Sequence, residues 1–133
     1  MIMKISYPGG KKVNAEFDGF IIKTDQPKNF GGDGTAPGPF SIFLSSIGTC
    51  AGFYVLRFCQ ERNIPIDNIK LILKTNKNNK TDMIEKIFIN INLPTTFPDN
   101  YKKAVIKAVN LCAVKKHLEK PPTFEVSVKK QTI

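Results

Sequence analysis

The residues from Gly31 to Asn63 constrain this chain most. The stretch GGDGTAPGPFSIFLSSIGTCAGFYVLRFCQERN opens as a loop of Gly and Pro, then runs to Asn63 with no breaker except Gly48 and Gly52. Pro39 suits the first turn of a helix, where its missing N–H costs nothing. From there apolar residues point almost all the way round. Phe43, Ile47 and Tyr54 lie on one side, Leu44, Ala51, Val55 and Phe58 on the next, and Ile42 and Leu56 behind. A helix apolar on nearly every face belongs inside a core. Cys50 sits about midway, among small neighbours (Ser45, Ser46, Gly48, Thr49, Ala51 and Gly52) that leave room beside its sulfur.

The flanking segments read as strands and shorter helices. Ile2 to Tyr7 alternates apolar and polar residues, Pro8-Gly9-Gly10 turns the chain, and Val13 to Phe17 and Phe20 to Thr24 flank the two-residue turn Asp18-Gly19. Asp25 to Gly38 is a loop. Beyond Pro65, Ile69 to Thr75 and Ile84 to Leu93 carry period-two patterns across a polar turn. Thr95 to Asp99 opens a second helix with the stripe Tyr101, Val105, Ala108, Val109 and Cys112, so Cys112 faces whatever that helix packs on. Ala113 to Lys120 continues as a short helix, and Phe124, Val126 and Val128 fall on one face of a final strand. The sum, βββ–α–ββ–α–β, is an α+β fold with antiparallel sheet and a buried central helix. At 133 residues one domain is expected, spanning 1–133. So apolar a helix in so short a chain needs cover on both sides, which dimerisation would supply.

Charge and cysteine count narrow the function classes. The net charge of +9 invites a nucleic-acid reading. However, the lysines are spread along the chain, Arg57 and Arg62 are the only arginines, and no recognition module interleaves aromatic and basic residues. No nucleic-acid partner is expected, and the lysines read as a solvated surface. A basic module would instead show salt-sensitive binding. No run of about 18 apolar residues is present, so no transmembrane helix and no membrane partner are expected. The start MIMKISYPGGKK lacks the apolar core of a secretory signal, and a cytoplasmic location follows as the default. Cys50, Cys59 and Cys112 fit no zinc spacing and no Cys-x-x-Cys motif, so no metal is expected. Cys59 lies nine residues after Cys50, on the opposite side of the helix and about 13 Å away along it, too far for an intrahelical disulfide. It reads as packing. His117, the only histidine, reads as an exposed residue near the Pro121-Pro122 stop.

Two segments carry a family resemblance. GGDGTAPGPFSIFLSSIGTC resembles the Gly-rich loop, Pro-led helix start and small-residue approach to a cysteine of the OsmC/Ohr family, the osmotically induced protein C and organic hydroperoxide resistance proteins. AVNLCAVKKHL resembles that family's second-cysteine motif, where Cys-Pro-Val is usual. The element order agrees along nearly the whole chain, nearest the OsmC-like branch. The resemblance implies an intertwined homodimer with the long helices at its centre and active sites at the interface. It implies thiol peroxidase chemistry on organic hydroperoxides in oxidative-stress defence, with Cys50 peroxidatic, Cys112 resolving, an external dithiol as reductant and no cofactor.

The Ohr branch supports its thiolate with an arginine from the loop region and a glutamate early on the long helix. Here the glutamate's position falls at Phe40 or Ser41, and no arginine precedes Arg57. Candidates for the substrate pocket or for stabilising the thiolate are Tyr54, one turn past Cys50; Arg57, seven residues past it; Lys23, beside the Gly-rich loop; and Phe40. Arg57 also stands four residues before Glu61, the spacing of a helical ion pair. The alternative is a non-peroxidatic protein of the same fold, with a small-molecule pocket at the dimer interface and cysteines that only pack.

Overall fold

The computed structural model describes residues 1–132, and its chain divides into two compact units, residues 1–46 and the residues from 47 onward. The first unit is built on an antiparallel meander of β1 (Lys4–Gly9), β2 (Lys12–Phe17) and β3 (Phe20–Thr24). Asp18 and Gly19 close the β2–β3 hairpin with φ of 47° and 81°, the two positive values a tight two-residue turn demands. Phe17 then faces Phe20 across the turn, their ring centroids 6.1 Å apart. The alternation that predicts these strands is real, yet Ile5, Tyr7, Phe20 and Ile21 all remain exposed.

The buried residue of this unit is a carboxylate. Asp25, directly after β3, has no exposed surface. It accepts the Gln26 N–H at 2.7 Å, the Thr35 N–H at 3.0 Å and the Thr35 hydroxyl at 2.7 Å. The Thr35 amide and hydroxyl draw its pKa down to about 2 against the opposing effect of burial. The clasp closes the loop on itself, and Gly32 fits inside it only because a Cβ there would overlap the Gln26 carbonyl. The loop delivers the chain to Pro39, where α1 (Pro39–Gln60) begins as the sequence predicts.

The second unit takes α1 from Ile47 onward and adds β4 (Lys70–Lys77), β5 (Ile84–Asn92), α2 (Lys102–Val109) and α3 (Ala113–Glu119). The β4–β5 register sets Leu71 opposite Ile91 and Leu73 opposite Ile89, which gathers the apolar residues of both strands on one face. Leu73 reaches to 3.8 Å of the space a Cβ on Gly48 would fill, so a small residue lets the sheet approach α1 there. Ala51, Val55, Phe58 and Cys59 of α1 pack with Val105 and Val109 of α2 and with Phe97 into one core, flanked by Ile69, Leu71, Ile89 and Ile91. Cys59 is therefore a packing residue, as its spacing predicts. Arg62 stacks its guanidinium on Phe58, 3.7 Å from the ring centroid, and donates to the Phe58 carbonyl at 3.1 Å.

Two expectations change. Only the face carrying Ile47, Ala51, Val55, Phe58 and Cys59 of α1 is buried in the chain; Phe40 and Phe53 on other faces are exposed. By length and composition alone α1 would also pass for a membrane span, a test that the core helix of a folded protein meets as well. The expected last strand over Phe124, Val126 and Val128 does not form within the single chain, where these side chains are 89%, 92% and 91% exposed. A strand exists by pairing, and β4 and β5 pair only with each other.

Candidate active site

Two helices and one sharp turn bring Cys50 and Cys112 together. Cys50 projects from the middle of α1 and is partly exposed; Cys112 is buried. The α2 stripe buries Val105 and Val109 as predicted, but α2 ends at Val109, and Cys112 stands just beyond it with φ −49° and ψ 120° as the residue that caps α3. Its N–H still bonds the Val109 carbonyl at 3.1 Å and its own carbonyl accepts the Lys116 N–H at 3.0 Å, so the turn is held from both sides. Both thiols are free, and the Cys112 thiol hydrogen-bonds the Cys50 sulfur.

The two sulfurs are unequal. Burial pushes the Cys50 thiol up, but the Val114 amide, the Cys112 thiol and the Ala113 amide together outweigh it and bring Cys50 below its ordinary value. Cys112 is pushed up, first by burial and then by its hydrogen bond to Cys50. Cys50 is thus the first of the pair to ionise, with Cys112 as donor. Cys59 is raised by burial, which suits a thiol that only packs.

The amides of Ala113 and Val114 are the part that residue-by-residue reading missed. The signal was available: Ala113 stands where the resembling motif has proline, and alanine keeps the N–H that proline lacks. The other candidates fall as follows. Tyr54 lies one turn past Cys50, its ring edge-on to Phe53 at 5.5 Å. Arg57 donates from Nε to Glu61 Oε1 at 2.8 Å, the ion pair its spacing predicts, and is not among the groups that shift Cys50. Lys23 and Phe40 belong to the first unit, Lys23 exposed on β3 and Phe40 packed on Phe43 at 5.5 Å. His117 is exposed, its Nδ1 2.6 Å from the Ala113 carbonyl. No cluster of His, Cys, Asp and Glu among the described residues could hold a metal ion.

An α+β chain with two facing thiols, one on a long central helix and one capping a short helix, defines a class of small thiol proteins. Residues 32–127 match the OsmC-like proteins, and the chain belongs to that family. A proposed osmotic stress induced and detoxification response protein from Psychrobacter arcticus shares 20% identity at a TM-score of 0.71, over 86% of this chain and 85% of that one. The organic hydroperoxide resistance protein OsmC of Legionella pneumophila shares 15% at a TM-score of 0.53, over 89% of each chain. The organic hydroperoxide resistance protein OhrB of Bacillus subtilis shares 20% at 0.51, over 91% of this chain and 93% of that one. No curated protein gives a significant match.

Proposed function

We propose that this chain is a homodimeric, cytoplasmic thiol peroxidase that reduces organic hydroperoxides, its single OsmC-like domain spanning residues 1–133. The observation that carries this reading is the unequal thiol pair, Cys50 lowered and hydrogen-bonded by Cys112. The Cys50 thiolate attacks the distal oxygen of R–O–O–H, the O–O bond breaks, and Cys50 becomes a sulfenic acid while the alkoxide takes a proton and leaves as the alcohol. The Cys112 thiol then attacks the Cys50 sulfur, forming a disulfide and releasing water. An external dithiol restores both thiols by two exchange steps and is itself oxidised to a disulfide. The Ala113 and Val114 amides take the place of the arginine that the Ohr branch uses to hold negative charge on sulfur. No bound cofactor enters the cycle.

Dimerisation is supported by what the single chain leaves bare: the apolar side chains of the meander, Phe40 and Phe53 of α1, and the alternating Phe124, Val126 and Val128. A second copy would cover them and give the C-terminal segment a strand to pair with. In such a dimer Lys23, beside the Gly-rich loop, is the candidate to approach the site from the partner chain.

Intact mass and thiol count after stoichiometric cumene hydroperoxide test the proposal. Wild type should lose two hydrogens, and Cys112→Ser should hold a trappable sulfenic acid at Cys50. Three intact thiols in both proteins would instead favour the second reading, a binding protein of the same fold. The lack of an arginine before Arg57, and Phe40-Ser41 where a carboxylate is usual, speak for that reading.

A further inference from the structure

The outward face of the β4–β5 hairpin differs in kind from the face that meets α1. Leu71, Leu73, Ile89 and Ile91 gather on the inner face, so the residues between them point out. There the register sets Lys74 opposite Phe88 and Asn76 opposite Lys86. Toward the other end, Ile72 stands beside Asn90 and Lys70 beside Asn92. All of these outward side chains are exposed, Ile72 and Phe88 at 43% and 39%. The Lys86 ammonium stands 4.9 Å from the centre of the Phe88 ring. The face extends about 20 Å along the strands.

Its charge is one-sided. Lys70, Lys74 and Lys86 pair with no carboxylate among the described residues. The carboxylates of the hairpin, Asp82 and Glu85, are engaged near its turn, by Lys77 at 3.2 Å and by the Asn78 side-chain amide at 2.6 Å. Folding alone does not account for this face. Lysine guards an edge strand against stray pairing. Asparagine, however, is depleted in strands, and Asn76, Asn90 and Asn92 add nothing to the core. Nor does the face suit a second copy, because lysine is depleted at the core of interfaces and two such faces would repel. The linear sequence hides the combination, since basic and aromatic residues interleave here only once β4 and β5 pair.

We propose that this face binds a single-stranded nucleic acid, with Phe88 and Ile72 as the platform for its bases and Lys70, Lys74 and Lys86 on its phosphates. Every base has a π-face to lay on a phenyl ring, and Lys86 can leave the ring for a phosphate as a base takes its place. A duplex hides its base faces, so the single strand is what the ring selects. Asn76 and Asn90 offer amide donors and acceptors to base edges. An anionic bilayer is the poorer match: Ile72 and Phe88 are more than half covered, which leaves little apolar surface to enter acyl chains. The sheet stands between this face and α1, so the proposal does not rest on the thiol chemistry.

Fluorescence anisotropy of a labelled oligothymidylate of about twelve nucleotides, against an abasic strand of the same length, tests this. The thymidine strand should bind about fivefold or more tightly than the abasic one, the scale of one stacked base. Its affinity should fall with added salt at a slope of about −2 in log K against log salt, as three lysines on phosphates require. Phe88→Ala should erase the preference for bases. Lys70→Gln, Lys74→Gln and Lys86→Gln together should weaken both strands about tenfold or more. Lys103→Gln, Lys107→Gln and Lys120→Gln make the same charge change away from the sheet and should leave binding as it is. All of these sites are exposed, and circular dichroism reports the folding of each variant. Equal affinity for the two strands, or an equal loss in both triple variants, overturns the proposal. Absence of binding at low salt overturns it too, and sedimentation with phosphatidylserine vesicles would then assign the face to a membrane.

Discussion

The units on either side of Ser46 treat burial in opposite ways. After Ser46, apolar residues of α1, α2 and the β4–β5 hairpin meet in one closed core. Before it, a well-registered meander buries none of its large apolar side chains, and the residue sealed from water is Asp25. The second unit is stabilised chiefly by burial of apolar surface. The first holds its loop by hydrogen bonds to a carboxylate and presents its apolar residues outward. A chain made this way has finished one core and half of another, the half that the proposed second copy would supply.

Phe58→Ala should show the largest effect, a loss of about 3–5 kcal/mol in urea unfolding, because a buried ring that also carries Arg62 and Tyr101 disappears. A cost below 1 kcal/mol would mean that the second unit's core is looser than its burial indicates. Val126→Lys, or removal of the chain after Pro122, should leave that core folded and weaken self-association about tenfold or more, read by light scattering against concentration. An unchanged dimer would show that the C-terminal segment is not what completes the bare surfaces.

The Asp25 clasp gives a smaller, pH-dependent effect. Its folded pKa of about 2 lies below the unfolded carboxylate value, so its contribution is complete above about pH 4 and fades as the pH falls toward 2. Asp25→Asn should remove that acid-side dependence and quicken proteolysis within residues 26–38. Identical acid profiles in the two proteins would deny the clasp its role. Ala113→Pro should be the gentlest change. Proline is tolerated at the first position of α3 and removes one of the two N–H groups that favour the Cys50 thiolate. The midpoint of Cys50 alkylation against pH should move upward with the fold intact. A midpoint that stays in place would mean that the Val114 amide and Cys112 suffice.

Much of the fold was legible because its signals are local. The Asp18-Gly19 turn, the alternating strands, Pro39 at the start of α1 and the buried stripe of α2 each follow from a few neighbouring residues. Phe124, Val126 and Val128 misled because alternation reports that a segment can pair, and pairing requires an edge that β4 and β5 do not give it within the chain. The all-round apolarity of α1 likewise reported a need for cover without saying which chain provides it. Of the site, Cys50 and Cys112 were named from the sequence, but their contact depends on the turn at Leu111–Cys112, which ends α2 three residues before the stripe suggests. The Ala113 and Val114 amides were invisible to an inventory of side chains, because the groups that act there belong to the backbone.

The most direct test of the thiol pair is peptide mapping of the protein after stoichiometric organic hydroperoxide in the absence of reductant. One intramolecular disulfide should form, Cys50 to Cys112, with Cys59 left as a thiol. A disulfide involving Cys59, or a chain in which all three cysteines stay reduced, would contradict it.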